Sequence, residues 1–201
     1  VAREKWQPIG WILKTLHGHK NMSLPSAVPE YCIDDLITPA KTAPSGAFVE
    51  VGVYQGGTAW HLTELCKEQN RPIFLYDTFE GIPYTSDMDY HKVGDFNDTD
   101  YETVKNALPY ATVVKGLFPA SAVEMPPIAF LHLDCDQYQS VVDSIAYLKD
   151  NLVPGCIIWF DDAAPGQTVQ KGSVNGAHWA MLELFGDNHK VSPTGKAFVI
   201  V

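Results

Sequence analysis

From Ala47 onward the chain alternates short, almost wholly apolar runs with stretches whose apolar residues recur every three or four positions, and that alternation most limits the folds open to it. The runs Ala47–Val53, Ile73–Asp77, Thr112–Lys115, Ile128–Leu133 and Cys156–Phe160 are too continuously apolar for strands with one face in water. They predict a parallel sheet covered on both sides. Between them, Thr58–Gln69, Asp100–Leu108 and Ser140–Leu152 read as the covering helices. After a further helix over Gly176–Phe185 come two short runs, His189–Ser192 and Lys196–Val201, joined by Pro193-Thr194-Gly195. A link that short cannot host a parallel crossover and predicts an antiparallel hairpin. The expected fold class is α/β, a Rossmann-like doubly wound sheet, mostly parallel, closed by a C-terminal antiparallel hairpin.

The 201 residues, 46% hydrophobic and 19% charged, suffice for one substantial core. We expect one domain over residues 47–201, preceded by an extension over residues 1–46 that holds Trp6, Trp11 and a short helix near Glu30–Ile37. Three roles stand open for the extension: padding of the core, an arm in a homodimer, or a lid over substrate. A net charge of −10 without a Lys/Arg cluster argues against a nucleic-acid partner. No apolar run approaches the roughly 18 residues of a membrane span, so no membrane partner is expected. Four cysteines without a CxxC pair, Cys32, Cys66, Cys135 and Cys156, read as reduced thiols of a cytoplasmic protein.

A strand ending in Glu50-Val51-Gly52 turns through Gly56-Gly57 into a helix, which brings backbone N–H groups and a Cβ-free surface close to a ligand. The next strand ends at Asp77, about twenty residues past the last glycine, where a carboxylate can accept both ribose hydroxyls of an adenosyl group. GxGxxG is absent, and the negative charge of Glu50 would repel a pyrophosphate. A cofactor carrying an ammonium and a sulfonium is more compatible. The alternative for Glu50 is a carboxylate that caps local backbone donors.

These residues resemble the macrocin O-methyltransferase family. The resemblance rests on Val49-Glu50-Val51-Gly52-Val53-Tyr54-Gln55-Gly56-Gly57, Tyr76-Asp77-Thr78-Phe79-Glu80-Gly81-Ile82-Pro83, Gly94-Asp95-Phe96, Lys115-Gly116-Leu117-Phe118, His132 through Ser140, Pro154-Gly155 and Asp161-Asp162, in that order. It implies a class I methyltransferase fold, S-adenosylmethionine as donor, Mg2+ dependence and a small-molecule hydroxyl acceptor, such as a sugar of a natural product. Donor contacts are then expected at Glu50, Gly52, Tyr54, Gly56, Gly57, Thr58, Asp77, Thr78, Phe79 and Asp134. Phe79, Phe96 and Phe118 are candidates to flank the adenine. Cys135 replaces the family's usual glycine between the paired aspartates, and Ala163 replaces an aromatic residue. Both departures bear on the acceptor, as does the absence of a placeable match in the N-terminal region.

Asp134 and Asp136 close the fourth expected strand and Asp161 and Asp162 the fifth, so both pairs fall at carboxyl ends, where open α/β sheets bind ligands. Carboxylates so close repel one another unless a cation compensates, and an all-oxygen set suits Mg2+. By family position and strand-end geometry the expected metal ligands are Asp134, Asp161 and Asp162. The base is Asp134 or Asp136, with Asp136 and Asp162 alternatively capping the segments that follow them. His132, two residues before Asp134, is either a buried, hydrogen-bonded core histidine or an aid to proton transfer. Three other readings compete: a metal-independent methyltransferase with an Asp or His base, a nucleotide-sugar glycosyltransferase using Asp134-Cys135-Asp136 as a DxD motif, and a non-catalytic binding or assembly subunit on the same fold. The acceptor's walls are expected from the unmatched N-terminal segment, Tyr84–Asp95 and Ala163–Asn175.

Overall fold

The computed structural model describes residues 24–164 and 175–201. Trp6, Trp11 and most of the expected Ala163–Asn175 loop lie outside the described residues. In chain order the elements are α1 (Glu30–Ala40), β1 (Ala47–Val51), α2 (Gly57–Glu68), β2 (Ile73–Asp77), α3 (Tyr101–Ala107), β3 (Thr112–Lys115), β4 (Ile128–Leu133), α4 (Tyr138–Leu148), β5 (Leu152–Phe160), α5 (Gly176–Phe185), β6 (Lys190–Val191) and β7 (Ala197–Ile200).

The seven strands form one sheet in the order β3-β2-β1-β4-β5-β7-β6. β1 to β5 pair in parallel, β7 runs antiparallel to β5, and β6 antiparallel to β7. Alternate residues of each strand face opposite cores. Val49, Val51, Leu131, Leu133 and Ile158 pack with α4 and α5. Phe48, Ile73, Leu75, Phe130, Ile157 and Trp159 pack with α1, α2 and α3. Burial on both faces explains why these strands read as unbroken apolar runs.

The expected elements appear with shifted ends. Ser140–Leu152 is a shorter helix, Tyr138–Leu148, then a 3-10 turn at Lys149–Asn151, and β5 begins at Leu152 instead of Cys156. Leu152 pairs with Ile128 and Ile157 with Phe130, so Pro154-Gly155 bulges out of a strand that begins four residues before the expected Cys156. The helix expected at Glu30–Ile37 runs on through Pro39 to Ala40. Asp100 and Asn175 cap α3 and α5, their side chains accepting from the N–H groups of Thr103 and His178. The strand order reverses between β1 and β4, and such a switch point opens a crevice at the carboxyl ends of the strands. Among the described residues no helix is long and apolar enough to cross a membrane.

Candidate active site

The loops leaving β1, β2, β4 and β5 enclose a cavity of roughly 300 Å³ at that switch point. On its β1 side, Gly52 has φ +94°, and a Cβ there would fall 1.9 Å from the carbonyl oxygen of Asp134. Only glycine lets the turn after β1 pass against the turn after β4. Tyr54 follows in the left-handed region at φ +51°. Asp77 holds this loop in place. Its Oδ2 accepts from the N–H groups of Val53 (2.7 Å) and Tyr54 (2.8 Å), and its Oδ1 from that of Phe79 (2.7 Å). The carboxylate assigned to ribose hydroxyls thus lines the cavity with three backbone donors already bound to it. The loop is also tied to the segment before α3, because Tyr54 Oη donates to Asp98 (2.8 Å) and Gln55 Nε2 to the Asp98 carbonyl (2.6 Å).

Of the residues expected to touch the donor, Gly52, Tyr54, Asp77, Thr78 and Asp134 stand in the cavity wall, with Phe96 and Phe118. Glu50, Gly56, Gly57, Thr58 and Phe79 do not. Gly56 and Gly57 make room for chain instead of ligand: a Cβ on Gly57 would lie 2.2 Å from Ser26 Cβ, and one on Gly56 2.6 Å from Leu24 Cδ1. Thr58 is buried at the start of α2, and Phe79 is buried against Tyr101. Glu50 lies under the cavity floor, 1% exposed, with Oε1 2.9 Å from His132 Nδ1. It neither caps local backbone donors nor reaches the cavity wall. His132 is the buried, hydrogen-bonded histidine of the first alternative above.

Asp134, Asp136, Asp161 and Asp162 all line the cavity. Oxygens of Asp134, Asp161 and Asp162 lie within 4.8 Å of one another. Asp136 sits at φ +58° beside His91, whose Nε2 is 3.4 Å from its Oδ1. Removal from bulk water raises the pKa of Asp134 well above the usual carboxylate range, and the charges of Asp161 and Asp162 add to the rise. Burial and the charges of Asp162 and Asp134 do the same to Asp136. Asp162 is pushed up to about 6 by burial and by Asp161. Burial would also raise Asp161, but His132 and Lys196 outweigh it and bring it down to about 2.

Lys196 joins the wall without a sequence assignment, whereas His91 comes from the Tyr84–Asp95 stretch expected beside the acceptor and Ala27–Pro29 from the N-terminal extension. Lys196 Nζ lies 2.9 Å from Asp161 Oδ2 and also donates to the Asp161 carbonyl. A signal for it existed, since an antiparallel hairpin beside β5 returns the start of β7 to the carboxyl end of β5, and Phe160 pairs with Ala197. His91 and Ala27–Pro29 come from irregular segments without periodicity, so the sequence pointed to the segments and not to the residues.

The family described as Macrocin-O-methyltransferase (TylF) matches residues 15–175. Its span takes in much of the N-terminal region where the sequence offered no placeable match. No individual curated protein matches the chain significantly. Among solved structures, the calicheamicin methyltransferase CalS11 is 20% identical with a TM-score of 0.68, covering 85% of this chain and 77% of its own. The O-methyltransferase NovP is 18% identical with a TM-score of 0.62, over 85% and 76%. An O-methyltransferase from Bacillus cereus, in complex with SAH, is 15% identical with a TM-score of 0.53, over 86% and 80%. At these identities the likeness is one of fold: the mixed seven-stranded sheet of this chain is the class I methyltransferase sheet.

Proposed function

Because this chain belongs to the macrocin-O-methyltransferase family, we propose that it moves the methyl group of S-adenosylmethionine onto a hydroxyl of a small molecule, a sugar of a glycosylated natural product. The observation that carries this reading is the single cavity in which the Gly52–Tyr54 turn and Asp77 face four aspartates. Structural neighbours named for calicheamicin and TDP-rhamnose methylation support the sugar acceptor. Family membership displaces the glycosyltransferase alternative.

The aspartates fit a hard divalent cation, since all donors are oxygen and the buried Oδ2 of Asp162 has no hydrogen-bond partner. Asp134, Asp161 and Asp162 would hold Mg2+, which supplies positive charge that lowers the pKa of a nearby hydroxyl. The remaining work falls to the chain. The aspartates place negative potential where a sulfonium and an ammonium must lie, favouring the donor over its neutral-sulfur product. Asp136, outside the ligand set, takes the acceptor's proton, and burial, which raises its pKa, makes it a stronger proton acceptor than an exposed carboxylate. Tyr54 and Phe96, edge to face at 5.4 Å, wall the donor from solvent. A metal-independent version has one observation in its favour: Lys196 already gives Asp161 a cationic partner.

Titration calorimetry on the full chain separates these versions. We expect S-adenosylmethionine to bind, and Mg2+ to bind wild type but not Asp161→Ala. A wild type that binds the donor and no Mg2+ establishes the metal-independent version, and one that binds no donor overturns the proposal.

A further inference from the structure

Glu50, His132, Asp161 and Lys196 form a row of alternating acidic and basic side chains on β1 and β4 and at the facing ends of β5 and β7, and the two members at its buried end have no part in the chemistry above. Glu50 and His132 are register partners, joined at 2.9 Å, and are 1% and 0% exposed. His132 Nε2 lies 3.9 Å from Asp161 Oδ1, and Lys196 Nζ lies 2.9 Å from Asp161 Oδ2. Both oxygens of the Asp161 carboxylate therefore have a basic nitrogen beside them, each from a neighbouring strand. Neither Glu50 nor His132 lines the cavity.

We propose that Glu50 and His132 are positioning residues of the cation site, acting through Asp161 to fix its carboxylate for Mg2+ while touching neither cation, donor nor acceptor. The inference rests on the reading that Asp134, Asp161 and Asp162 hold Mg2+. The bond to Glu50 sets the ring of His132, and that setting aims Nε2 at Asp161, as groups behind a metal ligand commonly orient it. Filling space does not account for the pair. Phe48, Phe130 and Ile157 occupy the same sheet face, and apolar side chains there would avoid the desolvation that a buried ion pair incurs. Glu50 Oε2 is moreover buried without a hydrogen-bond partner, a cost that packing alone gives no reason to keep.

The test is Mg2+ affinity by calorimetry in wild type, Glu50→Gln and the double variant Glu50→Leu/His132→Leu, each also titrated with S-adenosylmethionine and melted thermally. Loss of such supporting groups weakens metal binding about 10–100-fold, and we expect that in both variants, with donor affinity unchanged. The double variant guards against misfolding of Glu50→Gln, because replacing a buried pair as a whole is often neutral or stabilising. Variants that bind Mg2+ as tightly as wild type, whatever their melting temperature, overturn the positioning role alone. A wild type that binds no Mg2+ overturns the metal reading, and this inference with it.

Discussion

Asp161 and Asp162 are adjacent in sequence and titrate in opposite directions, which sets the pH response of the site. Asp161, between His132 and Lys196, is held down to about 2 and is ionised throughout the working range. Asp162, with Oδ2 unpartnered and a like charge beside it, is pushed up to about 6. A cation bound at Asp162 must displace its proton whenever the pH lies below that value. Mg2+ affinity should therefore fall as the pH drops through 6, by at least about tenfold per pH unit, because Asp134, raised by burial and its neighbours, must give up its proton as well. Calorimetry between pH 4.5 and 7.5 reads this directly. A flat profile would place the cation elsewhere. The four aspartates and their convergence were legible in the sequence, because each pair directly follows an apolar strand run. The opposite behaviour of the two neighbours was not, since it depends on a lysine 35 positions from Asp161.

At the level of elements, the glycines of the β1–α2 turn separate into two kinds. Gly52 faces the backbone of Asp134, which cannot move without unpicking β4, and it also needs a positive φ. Gly52→Ala should leave little folded protein. Gly57 faces the side chain and Cα of Ser26, part of the segment that continues into the cavity wall at Ala27–Pro29. Gly57→Ala should displace that segment while the sheet remains intact, costing about 1–3 kcal/mol of overpacking. The measurable results are faster hydrogen exchange confined to residues 24–29 and weaker S-adenosylmethionine binding. Unchanged donor affinity would show that the segment does not shape the donor side. Sequence reasoning took both kinds of glycine as ligand surface, because a Cβ-free position looks the same whether cofactor or chain fills the space. Strand runs and the hairpin were readable because burial on both faces and a three-residue link each admit few conformations. The early start of β5 at Leu152 was not readable, because Pro154-Gly155 interrupts the apolar run and forms a bulge whose place depends on pairing with β4.

For the whole molecule, the order β3-β2-β1-β4-β5-β7-β6 brings the proposed donor and acceptor sites into one crevice. β1 and β2 deliver Gly52, Tyr54 and Asp77, β4 and β5 deliver the aspartates, and β7 returns Lys196 among them. Alternating strands and helices with a terminal hairpin predicted the fold class, but they fit more than one doubly wound order, and the order itself is read from the structure. The acceptor's identity was not legible, since His91 and the Tyr84–Asp95 stretch have no periodicity to read. The central claim is that this crevice carries a methyl group from a sulfonium to an oxygen, with Asp136 taking the proton. The most direct measurement supplies S-adenosylmethionine labelled in its methyl group, with Mg2+ and a panel of glycosylated natural products, to wild type and Asp136→Asn, and locates the label by mass spectrometry and NMR. The account predicts label in an O-methyl ether on a sugar, and a rate lowered by about 10²–10⁴ in Asp136→Asn with donor affinity retained. Label on nitrogen or carbon, or transfer undiminished in Asp136→Asn, would contradict it.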